Sequence, residues 1–127
     1  MKDITNNLET FITLSKNFEV NQLIESELFI NFNILKEKHN DIIQYDFDEF
    51  GDSIELAKNI NFLISKGILT REDDKLYINI DNKEAKEFKK SLDFDTELNY
   101  FVLIEDYFNE NNKREIKKMN TKKRLGL

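Results

Sequence analysis

The sequence predicts a mainly α-helical protein of the α+β class, with one small β-hairpin. Three observations support this fold class. Proline is absent and only three glycines occur in 127 residues, whereas an all-β sandwich or barrel needs many turns built from these residues. Apolar residues recur at helical spacing along much of the chain. Acids that follow an Asn or Asp by three residues mark several helix starts.

The first predicted helix covers about residues 6–16. Asn6 and Glu9 have the spacing of a capping box, in which the cap side chain reaches forward and the acid reaches back. The apolar face that follows consists of Leu8, Phe11, Ile12 and Leu14.

A second helix is predicted from about residue 20 to residue 38. Its apolar residues cover much of the circumference, and they include Leu28, Phe29, Ile30 and Phe32. A helix that is apolar nearly all round is buried on several sides. It is therefore either a central core helix or a helix that reserves one face for a partner or a second subunit. The following segment, 41–50, alternates only in part and predicts either a short strand or an extended link.

The clearest pattern lies in residues 52–80. Asp52 with Glu55 predicts the start of a third helix. Gly67 stands where a helix C-cap needs a left-handed residue, and Ile68 follows as its apolar contact. Two apolar runs flank the charged tip 71–75, and this arrangement predicts a β-hairpin.

Two further helices are predicted after the hairpin. Asp81 with Glu84 begins a helix that runs through about Ser91. Another begins at Asp95 and carries an apolar stripe through Phe108. Its central part, 98–108, is also consistent with a buried strand, although its length and caps favour a helix.

Charge divides the chain into an acidic body and a basic tail. The net charge is −6, and residues 111–127 contain seven basic residues and one acid, so residues 1–110 carry a net −12. Few apolar residues follow Asn109, and we therefore expect a single domain over 1–110 and a flexible tail over 111–127. An acidic body repels nucleic-acid phosphate, whereas a basic tail attracts it.

One turn in the sequence supports a resemblance to a known architecture. The residues Leu63-Ile64-Ser65-Lys66-Gly67-Ile68 are followed by Leu76-Tyr77-Ile78-Asn79-Ile80. Residues 45–80 thereby resemble the winged-helix pattern, in which such a turn ends a helix and a wing follows. Residues 45–53 are also similar to the lead-in of YwgA-like and Panacea-type proteins, although Asp52 stands where those families often have proline. The resemblance implies a regulatory or antitoxin-like role without catalytic residues.

In a winged helix, the helix before the wing would enter the DNA major groove. Its outward residues would include Asn59 and Asn61, whose amides can pair with adenine edges. Acids at the wing tip and the negative body oppose such an entry. The tail is therefore favoured over this helix as a nucleic-acid contact.

The sequence predicts no catalytic residue, no metal site and no cofactor. His39 is the only histidine and there is no cysteine, whereas a zinc site needs about four such ligands. A metal-dependent reaction would need an ion at Asp46, Asp48 and Asp52, but this acidic segment lacks two ligands that a calcium loop requires. No glycine-rich phosphate loop occurs, so the sequence has no visible machinery for nucleotide hydrolysis. No small-molecule substrate is evident from the sequence.

We expect a cytoplasmic protein of bacterial or phage origin. Cysteine is absent, and Asn, Lys and Ile are frequent. The N-terminal residues do not have the pattern of a signal peptide. The longest apolar run, 100–104, is far shorter than the roughly 18 residues that span a bilayer.

The first functional hypothesis is a non-enzymatic regulator or inhibitor that binds a protein partner or forms a homodimer. Its partner-facing candidates are Phe29, Ile30, Phe32, Asp46, Asp48, Glu49, Asp52, Glu72, Asp73 and Asp74. The alternative is a winged-helix DNA- or RNA-binding regulator or antitoxin that uses the basic tail. The tail residues that would contact nucleic acid or a partner are Lys113, Arg114, Lys117, Lys118, Lys122, Lys123 and Arg124.

Overall fold

The computed structural model describes residues 4–124 and Gly126, with side chains for residues 7–120, Lys123 and Gly126. The elements in chain order are α1 (Ile4–Lys16), β1 (Gln22–Ile24), α2 (Glu25–Leu35), α3 (Ile54–Ser65), β2 (Leu69–Glu72), β3 (Lys75–Ile78), α4 (Asn82–Lys90) and α5 (Phe94–Arg124). The predicted fold class is confirmed, because helices dominate and the strands form one small antiparallel sheet. Within the described residues, no helix combines the length and the apolar composition that a membrane crossing needs.

The sheet has three strands in the order β1-β3-β2. The predicted hairpin is confirmed as β2 and β3, which pair antiparallel with Leu69 opposite Ile78. The predicted helix over 20–38 is wrong at both ends, because β1 precedes α2 and α2 ends at Leu35. In β1, Leu23 pairs with Leu76 of β3. Strand β3 therefore has a hydrogen-bonded neighbour on each of its two edges. Local periodicity does not reveal a partner strand about fifty residues further along the chain.

The segment between α2 and α3 is a link. Residues 41–50, all of which are described, consist of turns and of backbone that belongs to no helix or strand, so this segment is a link and not a strand. The link ends at Ser53, whose hydroxyl accepts a hydrogen bond from Leu56 N–H at 3.2 Å. Ser53 is therefore the N-cap of α3, one residue after the predicted start at Asp52.

The turn after α3 is confirmed in full. Gly67 has φ +77°, a conformation that favours glycine. Its N–H donates to the carbonyl of Ile64, and Ile68 N–H donates to the carbonyl of Leu63, both at 3.0 Å. These two bonds form a Schellman motif, which satisfies carbonyls that the helix end would otherwise leave unpaired.

The last two helices begin close to the predicted residues. Asp81 caps α4 by accepting a hydrogen bond from Glu84 N–H at 2.7 Å. Asp93 caps α5 by accepting from Thr96 N–H at 2.8 Å, and this bond lowers the pKa of the Asp93 carboxyl. The helical interpretation of 98–108 is confirmed.

The predicted end of the fifth helix near Phe108 is wrong, because α5 continues through Arg124. Residues of the tail are mostly good helix formers, and an ion pair between Lys118 and Glu115 at 3.5 Å has a favourable helical spacing. The division into a body of 1–110 and a flexible tail of 111–127 stays a prediction. The boundary between the two parts falls inside α5.

The core surrounds α1, whose face of Leu8, Phe11, Ile12 and Leu14 is fully buried. Aromatic rings fill its centre. Phe32 packs against Phe11 with ring centroids 5.1 Å apart and against Tyr107 at 6.0 Å. Because Phe32 is only 2% exposed, it is a core residue and its assignment as partner-facing is wrong.

Candidate partner-binding surface

Tyr45 fixes the end of the link to the core. Its side chain is 1% exposed and lies 6.2 Å from the Phe32 ring in a stacked arrangement. The amide of Asn59 donates a hydrogen bond to the Tyr45 hydroxyl at 3.0 Å. Burial raises the pKa of this hydroxyl well above its usual range. The residues that follow Tyr45 therefore leave the core from a fixed point.

Residues 46–52 form a loop that is held by hydrogen bonds among its own residues. We call this loop the acidic turn. One carboxylate oxygen of Asp48 accepts hydrogen bonds from the N–H groups of Phe50 and Asp52, both at 2.9 Å. Asp48 N–H donates to the carbonyl of Asp52 at 2.8 Å, and Gly51 N–H donates to the carbonyl of Asp48 at 3.0 Å. Gly51 has φ +82°, which permits this tight path. The acidic turn is thus preorganised by its own backbone.

The side chains of Lys36 and Glu55 connect the acidic turn to the neighbouring helices. Lys36 donates to the carbonyl of Tyr45 at 2.6 Å and contacts the Asp46 carboxylate at 3.2 Å. The Asp46 N–H donates to the Glu55 carboxylate at 2.8 Å. These bonds connect the turn with the end of α2 and the first turn of α3.

The acidic turn presents a large aromatic ring to solvent. Phe50 is 82% exposed, and Ile54 at the start of α3 is 75% exposed. The acids Asp46, Asp48, Glu49 and Asp52 belong to the same turn as Phe50, and all four are exposed. A shallow pocket of about 270 Å³ lies here, lined by Asp46, Phe47, Asp48, Asp52, Ile54 and Glu55. This surface therefore combines an apolar anchor with a negative rim.

The acids at 72–74, the predicted wing tip, lie at a separate place, on the β2–β3 turn. Asp74 accepts hydrogen bonds from the N–H and the hydroxyl of Ser26, so it caps the N-terminus of α2, where Ile24 offers no side-chain cap. A carboxylate at a helix N-terminus is stabilising. Glu72 and Asp73 remain exposed, whereas Asp74 is occupied within the chain.

The outward face of α2 is only partly the predicted one. Ile30 is exposed as predicted, and Phe29 is half-buried. Ile34, one turn after Ile30, is also exposed. The i, i+4 spacing of these two isoleucines would have identified this face from the sequence.

Helix α3 does not present both of its predicted base-reading amides. Asn59 is 8% exposed and bonds to Tyr45. Asn61 is exposed, but its carbonyl accepts a hydrogen bond from Arg71 at 3.1 Å. Arg71 is also paired with Glu25 at 2.7 Å. The surface of α3 therefore offers fewer base contacts than the sequence predicts.

The tail side chains differ in whether they are held against the body. Arg114 donates to the side-chain carbonyls of Asn31 and Asn111, so it is held against α2. Lys113 pairs with Glu110 at 3.3 Å yet remains largely exposed. The exposed tail residues include Lys117, Lys118 and Lys123. The side chains of Lys122 and Arg124 lie outside the described part of the structure.

His39 joins the link to α5. Its ring nitrogen Nε2 lies 2.7 Å from the Asp106 carboxylate, which also pairs with Lys38 at 2.9 Å. Lys38 first, and His39 second, lower the pKa of Asp106. A histidine–aspartate pair also occurs in hydrolases, but the pocket beside it is lined by Lys38, His39, Asp41, Ile42, Asn99 and Val102. None of these carries a hydroxyl or thiol nucleophile.

The structure places Asp46, Asp48, Glu49 and Asp52 in one turn, and it places the acids of the β2–β3 turn and the basic residues of the tail elsewhere. Sequence reasoning missed Phe50 and Ile54. One sequence signal could have identified Phe50. It is an aromatic residue that lies between Glu49 and Asp52 and directly precedes Gly51, in a segment predicted as a strand or a link. Among the described residues, no group of three or more His, Cys, Asp or Glu side chains is placed to hold a metal ion.

Comparisons of the chain with protein-family models, curated proteins and solved structures find no match.

Proposed function

We propose that this chain is a non-enzymatic regulatory protein of the cytoplasm that binds a basic protein partner through the acidic turn. The observation that carries this proposal is the exposed Phe50, which the hydrogen bonds of Asp48 hold in a turn with four exposed acids. Aromatic side chains, phenylalanine among them, are enriched in the cores of protein interfaces. A preorganised loop loses less conformational entropy on binding than a flexible one.

Charge defines the partner's surface. The four exposed acids around Phe50 would attract a positive surface and accelerate encounter with it. A partner that binds nucleic acid in a basic groove has such a surface. The proposed role is therefore a regulator or inhibitor that offers carboxylates and one aromatic ring to a basic site on another protein.

The proposal includes a winged-helix-like architecture within residues 1–110, with the resemblance carried by residues 45–80. It is supported by the turn from Leu63 to Ile68, by the hairpin that follows it, and by the third strand β1 beside that hairpin. The acids near the N-terminus of α3 and the exposed Phe62 on its surface favour a protein over DNA as the ligand of this helix.

A pull-down with the intact chain tests this function with a matched pair of variants. Phe50→Ala should release the partner, with an affinity loss of about 30-fold or more, because a buried aromatic anchor contributes about 2 kcal/mol or more. Phe94→Ala is the control, since Phe94 is 75% exposed but lies at the start of α5. Retention of the same partner by wild type and both variants would contradict the proposal.

A second pair of substitutions tests the role of charge. Glu49→Gln and Asp52→Asn, made together, should slow association with the captured partner several-fold at low ionic strength. The difference should shrink at about 0.5 M salt, where exposed charges are screened. Asp48 is left unchanged, because its carboxylate holds the turn.

A second candidate function is nucleic-acid binding by the second half of α5. It is favoured by the exposed lysines Lys117, Lys118 and Lys123, which lie beyond the acidic body. Binding of labelled DNA or RNA at low salt should then weaken when Lys117, Lys118, Lys122 and Lys123 are replaced by Ala. No detectable binding by the intact chain at low salt would exclude this candidate.

A further inference from the structure

The outer face of α5 carries an apolar stripe that the rest of the described chain leaves exposed. The stripe consists of Phe94, Leu98, Val102, Ile116 and Met119, whose side chains are 41–75% exposed. Successive α-helical residues are rotated by about 100°, so these positions lie on one side of the helix. The buried residues Tyr100, Leu103 and Tyr107 occupy the opposite side.

Charge is distributed along α5 in two blocks. Residues 94–110 contain five acids and no Lys or Arg, whereas residues 111–124 contain seven basic residues and one acid. The helix macrodipole favours acids in the first turn and bases in the last turn only. The acids at 105, 106 and 110 and the bases at 113 and 114 lie well inside the helix, so the macrodipole does not account for them.

The second half of α5 extends away from the body. Past Arg114, the side chains of residues 115–120 and Lys123 are all exposed. Isolated helices shorter than about 12–15 residues are only marginally stable in water. Ile116 and Met119 therefore stand on a helical extension that a second helix packed against it would stabilise.

We propose that α5 packs antiparallel against α5 of a second copy of this chain. In this arrangement the acids at the start of each helix, Asp95 and Glu97, lie at the level of Lys117 and Lys118 of the other. Placing Leu98 opposite Ile116 sets the two-fold axis at the level of Tyr107 and brings Phe94 near Met119. Such an interface is isologous, because the same surface serves both copies. A parallel arrangement would instead place acids against acids and bases against bases.

A groove beside the stripe adds apolar surface to this interface. It has a volume of about 680 Å³, and its lining includes Phe18, Val20, Phe101 and Phe108. Phe101 and Phe108 lie on the flank of the same face of α5. A second helix on the stripe would remove part of this groove from water, and apolar burial of this kind drives association.

Light scattering on the full-length chain over a range of concentrations tests the dimer. The mass should approach twice that of the monomer, and the dissociation constant should rise with salt, because opposite charges attract across the interface. Leu98→Glu and Ile116→Glu should each weaken the dimer at least tenfold. Ile54→Glu is the control, since Ile54 is as exposed as Phe94 but lies on α3. A wild-type chain that stays monomeric, or glutamate variants that stay dimeric, would overturn the proposal.

Engineered cysteines test the orientation, because the natural chain has none. The double variant Leu98→Cys/Ile116→Cys should form a covalent dimer on mild oxidation. Leu98→Cys alone should not, because an antiparallel pair places the two copies of residue 98 about 27 Å apart at 1.5 Å per residue. Efficient cross-linking of the single variant would instead indicate a parallel pair. The Phe50→Ala chain should dimerise normally, so this proposal and the proposed function can fail separately.

Discussion

The two halves of α5 belong to one continuous helix but differ in what surrounds them. In the first half, Tyr100, Leu103, Ile104 and Tyr107 pack into the core and are nearly or fully buried. In the second half, Arg114 still bonds to Asn31, and the described side chains after it are exposed. The first half is therefore stabilised by burial of apolar surface. The second is stabilised by its backbone hydrogen bonds and by local ion pairs.

This difference shows that apolar residues on a helix have two distinct roles. Leu103 follows the core-facing stripe, whereas Ile116 lies on the outer stripe with Leu98. A sequence pattern counts both as apolar, but only burial separates a residue that holds the fold from one that is free to contact another chain. The outer stripe is for this reason a candidate interface and the inner one is not.

The largest expected effect on the free energy of unfolding comes from replacing one apolar side chain by alanine in each half of α5. Leu103→Ala should lower the free energy of unfolding by about 3 kcal/mol, because it leaves a cavity in the core. Ile116→Ala should cost less than about 0.5 kcal/mol in the monomer, as for most surface substitutions. Urea denaturation measures both, at a concentration where light scattering shows a monomer.

The same pair becomes more informative at higher concentration. The cost of Ile116→Ala should grow once the wild type dimerises, because dimerisation stabilises the folded state by mass action. The cost of Leu103→Ala should stay the same. Equal costs for both variants in the monomer would show that the second half packs against the body, and the comparison of the halves would then be wrong.

Much of the fold follows from local sequence signals. Asp81 and Gly67 mark the boundaries of α4 and α3 because a cap depends on residues within a few positions of one another. The strand β1 could not be predicted in this way, since it exists only through pairing with β3. The extension of α5 was not predicted, because few apolar residues follow Asn109. Such a scarcity indicates that this segment makes few core contacts, but a helix can continue without core contacts.

For the candidate site, the sequence alone predicts the negative charge of the surface but not its exposed aromatic residue. The acids at 46, 48, 49 and 52 are visible in the sequence, but the exposure of Phe50 follows from the hydrogen bonds that Asp48 makes within the turn. Phe32 was assigned to a partner because its helix is apolar on several sides. Its burial depends on Phe11 and Tyr107, which belong to distant segments.

Arg114 connects the two halves, and its removal should have an intermediate effect. Arg114→Ala leaves Asn31, which is fully buried, without its charged donor, and should lower the free energy of unfolding by about 1–2 kcal/mol. Hydrogen exchange should also quicken in the second half of α5. Lys113→Ala is the control, because the Lys113 side chain is largely exposed and pairs with Glu110 on the same helix. An unchanged exchange rate would mean that the contact with α2 does not hold the second half in place.

The smallest expected effect concerns Asp106, which ties the packed half of α5 to Lys38 and His39. These partners lower the pKa of Asp106 in the folded chain, so the carboxylate contributes stability above the ordinary carboxyl pKa of about 3.9. That contribution is lost as the pH falls through the lowered folded-state pKa. Asp106→Asn should therefore cost about 1 kcal/mol at pH 7, and the difference from wild type should disappear in strong acid. Glu105→Gln, at the exposed neighbouring position, should show a smaller difference in the same pH series of urea denaturation curves. A cost of Asp106→Asn that did not change with pH would show that the residue acts through packing rather than through its charge.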